Sequence, residues 1–520
     1  MSPQVFGKSL LIGSTLALVS YRFYLQPTGD SKIKASEFRA EPTVSPIGAA
    51  IAYADPVKTR PSEDFSLPLP DTIEVPATSP HSGGATTVDV TGIRVFNTPA
   101  ANIRKQPVEG QMFSHDLQFL TGNSIFTNPW VEAGATTVTR DGLGPLFNAN
   151  SCESCHMHDG KGSAVGSDGR LRNPGLLVRL STPGKTAQGG PRPDPIYGGQ
   201  IQDHAIHGVP IEATIEITWE EITSEFADGT GYTLRKPHYH LRNLGYGPLA
   251  DDIKQSPRIA TLMVGLGLLE HIPQESLVAF ADADDIDGDG ISGKLNWVWD
   301  EKTQSLKPGR FGWKASQPSV RQQNAAAFRG DIGITSNLFS KTSCMPTQKE
   351  CLSAADGGTP ELTDKQLDRL EVYTKLIGVP KRRNTDHDQV IAGERLFYRL
   401  ACNRCHVSTW VTADTPEFPE LSEQTIHPYT DLLLHDMGPD LADDRPVFKA
   451  TGREWRTAPL WGIGLVQSVN PEAGFLHDGR ARTLQEAILW HGGEAEASKL
   501  AFKGLTAKQR AALLTFLKSL

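Results

Sequence analysis

Two short stretches of this chain carry residues able to hold a redox group: Cys152-Glu153-Ser154-Cys155-His156 and Cys402-Asn403-Arg404-Cys405-His406. Both read C-x-x-C-H, the attachment signal for c-type haem. The spacing follows from the chemistry. Two thiols add to the two vinyl groups of one porphyrin, and the adjacent histidine reaches the iron from one face. With 15 His in 520 residues, a C-x-x-C precedes a His by chance roughly one time in thirty. A zinc site made from both pairs, or two redox dithiols, would use the same cysteines. Neither needs a His directly after the second Cys. The expectation is two covalently bound haem c groups, with His156 and His406 as proximal ligands.

The elements that must position these motifs repeat. Leu362-Thr-Asp-Lys-Gln-Leu-Asp-Arg-Leu-Glu-Val-Tyr-Thr-Lys-Leu376 resembles Leu505-Thr-Ala-Lys-Gln-Arg-Ala-Ala-Leu-Leu-Thr-Phe-Leu-Lys-Ser-Leu520. Each has apolar residues at helical spacing behind a capping Thr, Thr363 or Thr506. A second pair is Arg258-Ile-Ala-Thr-Leu-Met-Val-Gly-Leu-Gly-Leu268 against Arg456-Thr-Ala-Pro-Leu-Trp-Gly-Ile-Gly-Leu465. Haem motif, Gly-rich segment and closing helix recur in one order, which predicts an internal duplication. The fold expected is mainly α: two cytochrome c-like domains, residues 91–385 and 386–520, the first enlarged by long loop-rich insertions. Residues 26–90, rich in Pro, Ser and Thr, read as a linker or extended segment.

Net charge −9 argues against nucleic acid as a partner and offers no basic face to anionic lipid. Lys8, the apolar run Leu10–Tyr21 and Arg22 make residues 1–25 a signal peptide or N-terminal anchor, too short for an ordinary spanning helix. An exported, periplasmic chain is expected, with membrane contact only through that segment. In such a compartment Cys344 and Cys351 are expected to form a disulfide. Asp285-Ile-Asp287-Gly-Asp289-Gly290 has the D-x-D-x-D-G form of a calcium loop, with Asn296 where an EF-hand supplies Glu and Asp282 available to complete the shell.

The stretches His427–Gly438, Trp455–Gly464 and Phe475–Ala481, with Tyr246-Gly-Pro-Leu, Asp287–Gly293 and Arg310–Lys314, resemble the bacterial di-haem oxidoreductase family. That family is peroxidase-like and is also called thiol oxidoreductase-like. More distantly the layout is similar to di-haem cytochrome c peroxidases and to the di-haem enzyme that matures methylamine dehydrogenase. The resemblance implies a distal ligand fourteen residues past His477, which is His491. In the peroxidases a second His lies sixteen residues after the first proximal one. Here that position is Arg172, which implies an open or weakly capped first iron. Met263, His115, His158, His204 and His207 are its candidate sixth ligands.

Arg170, Arg172 and Arg179 are candidates for stabilising developing oxyanion charge, and Glu220 or Glu221 for moving a proton. Trp461, then Trp130, Trp313 and Trp490, are candidates for a bridge between haems. The implied reaction takes electrons from a small cytochrome or cupredoxin to hydrogen peroxide or a related oxidant. The competing class is a non-enzymatic electron-transfer or haem-sensing cytochrome with both irons six-coordinate.

Overall fold

Two crossed helix pairs hold the two cysteine–histidine turns. In the computed structural model these are α1 (His115–Thr127) against a helix over Asp364–Lys375, and a helix over Asp388–Arg399 against one over Ala507–Ser519. The structure describes residues 75, 78–90, 95–137, 139–164 and 175–520, all within the unit Ala54–Leu520. The segment read as a signal or anchor lies outside the described residues, as do Arg170 and Arg172.

After α1 the chain runs through a one-turn helix at Cys152–Cys155 into β1 (Leu176–Lys185), β2 (Thr214–Glu225), β3 (Gly231–Arg242) and β4 (Lys254–Ile259). Then follow α2 (Asp364–Lys375), α3 (Asp388–Arg399), α4 (Leu484–Leu489) and α5 (Ala507–Ser519). Both closing helices, α2 and α5, begin with a full capping box: Thr363 with Gln366, and Thr506 with Gln509. Each box satisfies donors that the first turn would leave open.

The two pairs cross in the same way. At Gly122 a Cβ would collide with the carbonyl oxygen of Arg369 on α2; at Gly393 it would collide with that of Ala512 on α5. Tyr373 and Phe516, both fully buried, fill the space beside these crossings. The Gly-rich segments dock identically on the far ends of the closing helices. Gly267 abuts the carbonyl of Lys375, and Gly464 that of Lys518. Backbone bonds run from Gly265 N to Ile377 O (3.3 Å) and from Gly462 N to Leu520 O (2.7 Å).

The expectation of a mainly α, cytochrome c-like fold is overturned. The chain is 29% helical and 19% strand, with six small sheets among the described residues. β1 pairs antiparallel with β4, from Leu176↔Ile259 to Ser181↔Lys254. β2 and β3 form a long hairpin in register from Thr214↔Arg242 to Glu225↔Gly231. The strands lie in what read as loop-rich insertions, where Ile215, Ile217 and Trp219 alternate with polar residues, the period of a half-buried strand. The hairpin braces the second site. Phe226 packs on Phe502, Arg510 lies over the Phe226 ring, Arg235 donates to Arg480 O, and Tyr239 donates to Asp478 O.

The expected Cys344–Cys351 disulfide is formed, with a Cα–Cα distance of 5.8 Å. No helix of the described residues is long and apolar enough to cross a membrane.

Candidate functional site

Both C-x-x-C-H turns open on one interior cavity of about 580 Å³, whose wall includes Cys152, Cys155, His156, Cys402, Cys405 and His406. Ser151 caps the first turn through Ser154 N (3.2 Å). His156 Nδ1 donates to Thr261 O (2.8 Å) and His406 Nδ1 to Tyr429 O (2.9 Å). A neutral imidazole that donates from Nδ1 keeps the Nε2 lone pair for a metal. Burial holds both imidazoles at about 4, so they are neutral at physiological pH. Phe126 and Phe397 each stand 6.2 Å from the respective histidine ring.

All four cysteines of the two turns present their thiols on the wall of the cavity. Burial pushes Cys152 and Cys402 up to about 12. Among the described residues no metal-type cluster joins the two cysteine pairs, which removes the shared zinc site. An apolar cavity with two neutral imidazoles and four neutral thiols on its wall fits two porphyrins.

The far side of the cavity differs between the turns. His491 follows α4, lines the cavity, is half-buried, and donates from Nδ1 to Ala487 O (2.7 Å). His406 lines the same cavity, and a positive charge on His491 would disfavour one on His406. His477 also lines the cavity, stacked on Trp455 at 3.8 Å.

At the first turn, Met263 alone of the five candidate ligands lines the cavity. His115 is buried in a pair with Glu420 (2.9 Å), His158 pairs with Glu153 (3.4 Å), His204 pairs with Asp203 (3.0 Å), and His207 is exposed on a loop. Of the aromatic bridge candidates, Trp461 and Trp313 line the cavity, whereas Trp130 and Trp490 are buried elsewhere. Trp461 packs on Gly265 of the first repeat segment, which places it where the two repeats meet.

Glu220 and Glu221 do not belong to the site. They are exposed on β2, on opposite faces of a two-stranded hairpin, and Glu220 pairs with His238. Arg179 does line the cavity, 3.7 Å from Asp331. Asp331 is a functional candidate missed in the sequence. It lines the cavity beside Cys152 and Cys155, and burial raises its carboxyl above the usual range. Its only signal was an Asp in an otherwise apolar stretch.

A second cluster escaped notice although its stretch carried the family resemblance. His435 lies between Asp431 (2.8 Å) and Glu494 (2.7 Å), 3.6 Å from Cys405 Sγ. Burial opposes its charge, but Cys405 and Asp431 hold it well above the usual imidazole range.

The acidic loop is rearranged relative to its motif. Asp282, Asp285 and Asp287 bring carboxylate oxygens within 4.8 Å of one another. Asp289 turns away to pair with Arg404 inside the second C-x-x-C-H turn. Asn296 is buried and donates to Lys314 O and Val447 O, so it is not a loop ligand.

The family model described as "Di-haem oxidoreductase, putative peroxidase" matches residues 77–520. No curated protein matches the chain. A solved chain of hydrazine synthase from Kuenenia stuttgartiensis aligns at 12% identity and a TM-score of 0.29, over 82% of this chain and 99% of that one. At that score the likeness carries no argument. The paired turns on one cavity and the family match agree: this chain belongs to the di-haem oxidoreductase family, a peroxidase-like oxidoreductase with haem as its cofactor.

Proposed function

We propose that the protein is a periplasmic di-haem c oxidoreductase, in which electrons from a small cytochrome or cupredoxin enter at the second site and reduce a peroxide-type substrate at the first. Cys152 and Cys155, and Cys402 and Cys405, would form the thioether links to haem, and His156, His406 and His491 would hold the iron. Bound haem supplies one-electron redox chemistry and, where its sixth position is open, a place for a small oxidant. The observation that carries this reading is the asymmetry of the cavity. His406 shares the cavity with the imidazole of His491, while of the five candidate ligands for the first iron only the thioether of Met263 lines it.

The chain's own residues supply the remaining requirements. Burial raises the Asp331 carboxyl above its usual range beside the first turn, and Arg179, 3.7 Å away, opposes the rise. Peroxide reduction takes up two protons with two electrons, so a carboxyl on the wall is a group able to relay them. Trp461 offers an aromatic path where the repeats meet. Asp282, Asp285 and Asp287 hold calcium, and Asp289 ties that loop to the second turn through Arg404.

The test is peroxide turnover with a reduced donor, using the exported, haem-loaded protein and its D331N variant. Turnover that falls in D331N with both haems retained supports the reading. No turnover in the wild type favours the alternative, an electron-transfer or sensing cytochrome in which Met263 completes the first site.

A further inference from the structure

The cavity wall carries seven lysine and arginine side chains and two carboxylates. A chain of net charge −9 has thus gathered cations in its interior, where an unpaired charge is costly. The described residues leave much of this charge unmatched by carboxylates. Arg310 donates to Leu269 O and Ile272 O, and Arg456 to Gly312 O and Thr457 O, all backbone carbonyls.

Arg179, Arg258 and Arg445 are the sharpest case. They come from β1, β4 and the loop after Leu441, and their like charges act on one another. Arg445 donates to Leu180 O (3.1 Å), and its Nε is buried with no hydrogen-bond partner. Arg258 donates from Nε to Ser256 Oγ (2.9 Å). Its Nη2 is buried without a hydrogen bond, 3.9 Å from Asp443. Asp443 is already committed to Lys314 at 2.6 Å and to Ser256 at 2.5 Å. Three guanidiniums therefore have two loosely placed carboxylates between them, Asp331 at 3.7 Å from Arg179 and the already occupied Asp443 at 3.9 Å from Arg258.

We propose that Arg179, Arg258 and Arg445 form a carboxylate cradle that receives the propionate groups of the haem at the first site. Two features assign it to that site. Arg258 stands three residues before Thr261, whose carbonyl orients His156. Arg179 neighbours Asp331, which lies beside Cys152 and Cys155. The repeat adds independent support, because Arg456 occupies in the second segment the position Arg258 has in the first, and it too lines the cavity with carbonyl partners only. A propionate is a carboxylate, the planar acceptor that a guanidinium fork binds best. The same chemistry would also suit a free carboxylate or another small oxyanion substrate.

The cradle rests on the two-haem reading, and the test separates the two. Haem content of the exported full-length protein is measured first by the pyridine haemochrome method; fewer than two haems per wild-type chain ends the two-haem reading and the cradle with it. With two haems present, R445Q, R445K and R179Q are compared with wild type by resonance Raman and spectroelectrochemistry. The cradle requires that R445Q shift the haem propionate bending band and lower the midpoint potential of the first haem only, with R445K largely restoring both. R179Q, altering a side chain one-third exposed and so least needed for packing, should act in the same direction if R445Q fails to fold. Unchanged propionate bands in variants that keep both haems overturn the proposal. Unchanged bands with a raised KM for an anionic oxidant overturn it in favour of a free-anion subsite.

Discussion

At the first site Phe126 on α1 and Tyr373 on α2 stand together near His156; at the second, Phe397 on α3 and Phe516 on α5 stand near His406. The scaffolds match residue for residue, down to the glycine at each helix crossing and the threonine that caps each closing helix. The differences lie in polarity. Tyr373 donates to the buried Asp159 (2.6 Å), and burial raises the Asp159 carboxyl well above the usual range. Phe516 has no hydroxyl, and the tyrosine–carboxylate bond of the second site is instead Tyr429 to Glu394 (3.0 Å), with Arg382 on the same carboxylate. The first site also faces Asp331, the arginines and His477, whose carbonyl accepts from Ile259 N beside Arg258, whereas the second faces His491 and the Asp431–His435–Glu494 cluster. Duplication has kept what holds a porphyrin and changed what surrounds the iron. On the proposed function, one site passes electrons and the other meets the reacting ligand.

The comparison breaks most visibly at the attachment points. Replacing Cys152 and Cys155 together by Ser should leave one haem per chain, as should replacing Cys402 and Cys405, each read by pyridine haemochrome. Retention of two haems in either case would remove the thioether assignment. Next come the helix crossings. G122V and G393V each place a side chain against a backbone carbonyl, so each should cost about 3 kcal/mol or more in thermal or denaturant unfolding. Equal losses support equivalent scaffolds; a loss at only one position would show that the repeat is not structurally equivalent.

Acid should act through the histidines of the cavity wall. Burial holds His477 near 3, against an ordinary value of 6.5. The unfolded chain therefore takes up this proton first, and stability falls as pH drops from 6.5 towards 3, by at most about 1.4 kcal/mol per unit. H477Q should flatten that part of the profile. A slope unchanged in H477Q would place the acid sensitivity elsewhere.

The two smaller effects concern the irons. H491M should raise the midpoint potential of the second haem while keeping it low-spin, since His/Met ligation favours Fe(II) more than bis-His does. M263A should cost about 2 kcal/mol of stability as a core truncation and leave the first haem's spectrum unaltered. A low-spin to high-spin change in M263A would make Met263 a ligand and the sites more alike than proposed.

Much of the site was legible because its chemistry demands local spacing. C-x-x-C-H is contiguous, and Thr363/Gln366 and Thr506/Gln509 declare their helices within four residues. The β2–β3 hairpin was also written locally, in the alternation from Ile215 to Trp219 and the Asp228-Gly229 turn, but a long insertion in a repeat read as loop obscured it. Arg179, Arg258 and Arg445 were not legible as a group. They are scattered over 267 positions and meet only through the pairing of β1 with β4 and the packing of a loop upon them. Glu221 misled for the converse reason: a carboxylate in sequence carries no mark of which face of a strand it will occupy.

The measurement closest to the centre of this account is the optical and EPR spectrum of each haem in the fully oxidised and half-reduced protein. The account predicts one low-spin bis-imidazole centre, lost in H491G, and one high-spin or weakly ligated centre that binds added cyanide. Two low-spin centres in both redox states, with no binding of cyanide, would contradict it.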